Sequence, residues 1–174
     1  MDAVGAGRRT GSRVSRAEFG LRLGGFIYGT IVALSVIVAG GRGYPHSPVR
    51  IAVLVAVTCT VFWIAHVYAH ALGHTVAHGE RISLGELKTI ARREASIIQA
   101  AVPPMVALLL GAVGLVRESV AIWAAFVLGL AVLGIEGLIV ARVERLGWFA
   151  TTLVVAANLA LGLFLVALKI FVGH

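Results

Sequence analysis

Five stretches of this chain stay apolar for about twenty residues each, the length a helix needs to cross the ~30 Å hydrocarbon core of a bilayer. They cover about 23–41, 51–71, 97–116, 120–140 and 148–171. No water-soluble domain of 174 residues could hide so much apolar surface: 59% of the residues are apolar and 13% charged. Soluble domains carry roughly 25% charged residues. The expected fold is an all-α integral membrane bundle of about five transmembrane helices, occupying residues 21–174 as a single domain.

A net charge of +7 raises the question of nucleic acid, but the basic residues cluster in the N-terminal arm and the connections. That distribution follows the membrane orientation rule, under which Lys and Arg collect on the cytoplasmic side. With the N-terminus inside, eleven basic residues fall on the inner side (Arg8, Arg9, Arg13, Arg16, Arg22, Arg81, Lys88, Arg92, Arg93, Arg142, Arg145) and four outside (Arg42, Arg50, Arg117, Lys169). The C-terminus then lies outside. Residues 1–20 read as a flexible basic cytoplasmic arm, and the full-length run after it reads as a retained span rather than a cleaved leader. The pattern fits a multi-pass protein of a prokaryotic plasma membrane, with the lipid bilayer as partner and no nucleic acid.

Local signals refine the helices. Pro45 and Pro48 break the chain between the first two spans. In the one long connection, Ser83-Leu84-Gly85-Glu86 has the form of a capping box, flanked by Ile82 and Leu87 at the positions of a hydrophobic staple. A short interfacial helix over about 83–95 is expected. Pro103 and Pro104 lie two turns into the third span and should kink it, freeing the carbonyls of Gln99 and Ala100. Gly25 and Gly29, and likewise Ala125 and Gly129, are spaced for close helix packing within or between subunits.

Candidate chemistry gathers near the inner side. His66, His70, His74 and His78 recur every four residues and so share one broad helical face. At ~1.5 Å per residue from Ile51, His66 falls inside the inner leaflet and His70 near its boundary. Imidazoles in a row can relay protons. A pair at this spacing can also bind a divalent transition metal or haem, with His74 and Glu136 as further metal ligands. They can equally be interfacial hydrogen-bonding groups. Glu136 is an acid within an apolar run; such acids face protein or a water cavity, and its expected partners are His66, His70 or Arg142. Asn158 is expected to bond between helices. The single cysteine, Cys59, lies in an apolar run and behaves as a small hydrophobe.

The segment Arg22-Leu23-Gly24-Gly25-Phe26-Ile27-Tyr28-Gly29 resembles the start of the first helix in the endolysosomal potassium channel family and its bacterial relatives. That family carries an Arg, three residues, then Phe-Ser-Asp, often followed by Gly. Arg22, Phe26 and Gly29 match, while Ile27 and Tyr28 stand in place of Ser and Asp. The second span, with Trp63 and His66 towards its inner end, is similar to that family's second helix. The likeness covers two spans, and the family has six helices per unit. It implies an oligomeric pore lined by the first helix, with Ile31 or Leu34 near the constriction.

Three functions compete. The leading expectation is a homo-oligomeric cation or proton pathway using His66, His70 and Glu136. The alternatives are a metal- or haem-binding membrane protein, in one form a redox enzyme, and a scaffold subunit. No catalytic constellation stands out.

Overall fold

The computed structural model describes the backbone of residues 3–79 and 81–172, and the side chains of 19–77, 79, 81–164 and 167. Seven helices follow one another among the described residues: α1 (Ala3–Gly43), α2 (Pro48–His78), α3 (Leu84–Glu94), α4 (Ser96–Ala100), α5 (Val102–Ala112), α6 (Glu118–Val143) and α7 (Trp148–Val172). No strand occurs among the described residues.

α1 is continuous over 41 residues, so helical backbone runs through the segment expected as a separate arm and into the first span. No proline interrupts it, and an interior glycine costs only about 1 kcal/mol against alanine. α2 opens with Pro48 in its first turn, where the missing N–H costs nothing. It closes at Gly79, whose φ of 68° is a left-handed cap and whose N–H donates to the Thr75 carbonyl. The helix therefore passes Gly73 and carries all four histidines.

The capping box forms as the sequence implies. The Glu86 N–H donates to Ser83 Oγ at 3.2 Å, and the Ser83 N–H donates to Glu86 Oε2 at 2.8 Å. The resulting α3 docks on α2, where the Trp63 indole N–H donates to the Ala91 carbonyl at 2.9 Å. Ile82 and Leu87 line one groove with Trp63, Ile64 and Tyr68.

The third span is two pieces. The segment Leu84–Ala100 and the segment Val102–Ala112 meet at an angle of 49°. Pro103 and Pro104 have no N–H to continue the ladder across Ala101, and their fixed φ suits the first turn of a new helix instead. α5 ends at Ala112, four residues short of the expected boundary, in a turn where Gly114 has a φ of 76°.

Among the described residues, three helical segments are long and apolar enough to cross a membrane: Phe19–Gly43, Pro48–Ala77 and Glu118–Val143. The bent pair makes a fourth if counted as one span, and Trp148–Phe164 is a shorter apolar helix among the described residues. The coarse expectation of an all-helical chain with several apolar spans thus holds at three to four helices, compared with the five read from the sequence.

α1 is the hub, packing on α2, α4, α6 and α7. Val32, Ala33, Leu34 and Ile37 of α1 are buried, as are Ile51, Val55 and Cys59 of α2, Leu108 of α5, and Ala125 and Leu133 of α6. Small residues set the approach distances. A Cβ on Gly29 would collide with the Ile97 backbone and one on Gly25 with Ser96, so α4 crosses α1 closely here. Gly129 receives the Leu34 side chain, and Gly137 lies against Val155 and Asn158 of α7. These glycine contacts are made within one chain.

Candidate functional site

Thr30 and Glu136, on α1 and α6, meet where the two helices cross. Thr30 is fully buried and Glu136 is 3% exposed. The Thr30 hydroxyl lies 3.0 Å from Glu136 Oε1 and equally 3.0 Å from the Phe26 carbonyl oxygen one turn earlier. A hydroxyl carries one proton. When Glu136 is a carboxylate, it competes with the Phe26 carbonyl for that proton. When Glu136 carries its own proton, it donates to Thr30 Oγ1, and Thr30 donates to Phe26. Only the second arrangement satisfies both contacts.

The other carboxyl oxygen, Oε2, is buried without a hydrogen-bond partner. Glu136 is among the residues lining a cleft of about 450 Å³ between α1, α4 and α6. Phe19, Leu23 and Phe26 supply the α1 wall, and Val132, Ile135 and Ile139 the α6 wall. Phe19, Leu23, Phe26 and Thr30 follow at intervals of three or four residues, which places them on one helical face. α4 contributes Ser96 and Gln99, brought close by the glycines of α1. Among the described residues, Arg22 is the only other charged residue on the lining, and it is exposed. Asn158 of α7, placed against Gly137, has a buried amide nitrogen without a partner in place of the expected interhelical bond.

The histidines form a separate group. The His66 Nδ1–H donates to the Phe62 carbonyl at 3.0 Å, and its ring lies 5.0 Å from that of Tyr28. The His70 Nδ1–H donates to the His66 carbonyl at 3.0 Å and faces Glu94 Oε1 at 3.6 Å. Each neutral ring thereby keeps Nε2 as its acceptor. His74 follows on the same helix, half-buried, and the side chain of His78 lies outside the described residues. Among the described residues, no three His, Cys, Asp or Glu side chains converge as a metal site would require.

Two sequence expectations are redirected by this geometry. The carboxylate facing His70 is Glu94, 8% exposed at the end of α3, and the partner of Glu136 is Thr30. Glu94 was not singled out from the sequence because it reads as one more charge in a polar connector. Its only signal is its place three residues before the apolar run at Ile97. Thr30 bonds the Phe26 carbonyl of its own helix, and it also reaches across to α6. Leu34 is buried within the chain against Gly129.

No protein-family model, curated protein or solved structure matches the chain.

Proposed function

We propose that the chain is an integral membrane protein of five spans that conducts or exchanges protons, with Glu136 as the proton-carrying group. In the orientation given by the basic residues, the N-terminus is cytoplasmic and the C-terminus external. The exposed apolar side of α2, including Val53, Val57, Val61 and Ile64, then meets lipid or a second copy in a homo-oligomer. The membrane would be the plasma membrane of a prokaryote.

One observation carries this reading: a buried carboxyl on the lining of a cleft, with one oxygen unpartnered and the other 3.0 Å from the Thr30 hydroxyl. An unpaired carboxylate in an apolar setting is costly and takes up a proton or a positive partner. Glu136 lies seven residues before the end of α6, about 10 Å along the helix axis. The cleft extends from it towards Arg22 and Phe19, on the cytoplasmic side.

A proton fits this site better than a metal cation. Calcium takes six to eight oxygen ligands and magnesium an octahedral set, whereas the lining offers one carboxyl, one hydroxyl and one amide. Towards the external side, Leu34, Leu133 and Ala125 are packed without exposure. Release on that side therefore needs the α1–α6 contact to loosen.

Proteoliposomes loaded with a pH-sensitive dye test the proposal. The wild-type chain should dissipate an imposed pH gradient, and Glu136→Gln should abolish most of that flux. Equal flux in both would remove Glu136 from the pathway, and no flux in the wild type under either gradient direction would reject it.

A further inference from the structure

Glu136 lines a cleft whose remaining walls are mostly hydrocarbon, and its Oε2 is buried without a partner. We infer that this cleft binds lipophilic organic monocations, such as tertiary ammonium or phosphonium compounds with an apolar body, by pairing them with the Glu136 carboxylate. The inference rests on the reading of Glu136 as a proton-exchanging group and names a second occupant for the same oxygen.

The chemistry of the walls selects the ligand. A small inorganic cation would have to shed its water among Phe19, Leu23, Phe26, Val132, Ile135 and Ile139, with too few oxygens to replace that water. A cation whose charge sits on an apolar framework loses little hydration and gains contact with the same side chains. The rings of Phe19 and Phe26 add a negative aromatic face towards a positive charge. The volume, about 450 Å³, lies in the ~300–1,000 Å³ range of small-molecule sites.

The entrance selects it as well. Ile135 is 57% exposed and Ile139 37% exposed, so the α6 wall opens sideways from the helix bundle. In a bilayer that side faces the hydrocarbon, where lipophilic cations accumulate. Arg22 stands eight residues before Thr30, about 12 Å along α1. Its guanidinium is exposed, so water solvates it at its own end of the cleft rather than against the Glu136 carboxyl. The charged groups facing the carboxyl are few: Arg22 from α1 and none from the α4 or α6 lining. α7 places Asn158 beside Gly137.

Binding is an exchange. The carboxyl O–H bond breaks, the proton leaves to water, and the cation pairs with the carboxylate; no electrons move and no covalent bond forms to the ligand. Raising the pH removes the competing proton and strengthens cation binding. In a membrane, the same competition couples cation movement to the proton gradient.

The test uses the full-length chain in nanodiscs, with methyltriphenylphosphonium as probe and the neutral triphenylphosphine oxide as its uncharged counterpart. The expected result is saturable phosphonium binding that tightens with pH and releases about one proton per bound cation. Binding should be at least about tenfold weaker for the oxide and for Glu136→Gln. Glu136→Asp, which keeps the charge, should retain binding. Equal binding of the oxide, unchanged binding by a folded Glu136→Gln, or no saturable phosphonium binding would each overturn the inference. Glu136-dependent proton flux without phosphonium binding rejects the organic cation alone. Phosphonium binding with proton release but no flux supports the site and rejects the pathway.

Discussion

The Thr30 hydroxyl and the Glu136 carboxyl, 106 positions apart in sequence, lie within 3.0 Å of each other at a crossing where neither is exposed. The contact joins the hub helix α1 to α6. Because Thr30 also bonds the Phe26 carbonyl, the protonation state of Glu136 determines which way one hydroxyl proton points. The local geometry of α1 is thereby tied to the charge of α6.

Thr30→Val keeps the shape and removes the hydroxyl. Glu136 then loses its hydrogen-bond partner inside the protein, which should cost about 1–3 kcal/mol of stability. Thermal unfolding in detergent should show a lower midpoint for Thr30→Val and a nearly unchanged one for Thr30→Ser. Proton flux should fall with Val and persist with Ser; equal behaviour of the two variants would dissociate Thr30 from Glu136.

Two glycines of α1 should respond oppositely to alanine. At Gly29 the new methyl meets the Ile97 backbone, and α4 must move away, at a cost of about 1–3 kcal/mol. At Gly24 nothing lies within 4 Å, and alanine should stabilise the helix by about 1 kcal/mol. Unfolding midpoints of the two variants give the comparison directly, and a stable Gly29→Ala would show that α1 and α4 are not held this closely.

Trp63→Phe removes the indole donor to the Ala91 carbonyl while leaving most of the aromatic surface against Ile82 and Leu87. The expected loss is about 0.5–1.5 kcal/mol, felt mainly by α3. Hydrogen–deuterium exchange should speed up across Leu84–Glu94 and stay unchanged in α6. Uniform acceleration through the chain would mean that α3 does not dock as a separate unit.

Replacing Pro103 and Pro104 together by alanine restores two N–H groups opposite the carbonyls of Gln99 and Ala100. The 49° bend should then relax towards a continuous helix. Spin labels on Arg92 and Leu115, both exposed, should move apart as the segment straightens. An unchanged distance would assign the bend to packing against α1 and α6.

The His66–His70 pair bears on the metal alternative. Both Nδ1 atoms are engaged by backbone carbonyls, and no third ligand joins them among the described residues. Chelator treatment should therefore leave the Glu136-dependent proton flux unchanged. A flux lost on chelation and restored by a divalent metal would return the histidines to the centre of the mechanism.

Much of the local structure was legible from residues alone because its causes are local. The Ser83–Glu86 box depends on a spacing of three, the break at Ala101 on two missing amide protons, and the shared helical face of the histidines on a period of four. The helix limits were less legible. Gly73 is a potential terminator, but the chain reaches the left-handed position it needs only at Gly79, six residues later. The loss is small because a single glycine inside a helix is a mild penalty.

The candidate site divides along the same line. Glu136 was visible because an acid in an apolar run is costly wherever the chain places it. Its partner was not visible, since pairing across 106 positions depends on the rotation and depth of one helix against another. Those are set by contacts such as Gly29 on Ile97 and Leu34 in the notch at Gly129. Hydrophobic length and charge placement determined what kind of chain this is and where its acid lies along the helix. Only the tertiary packing decided that the acid meets Thr30, that His70 meets Glu94, and that one carboxyl oxygen is left without a partner in a residue lining an apolar cleft. Solvation acts on each segment by itself, whereas register between helices is a property of the surfaces they share.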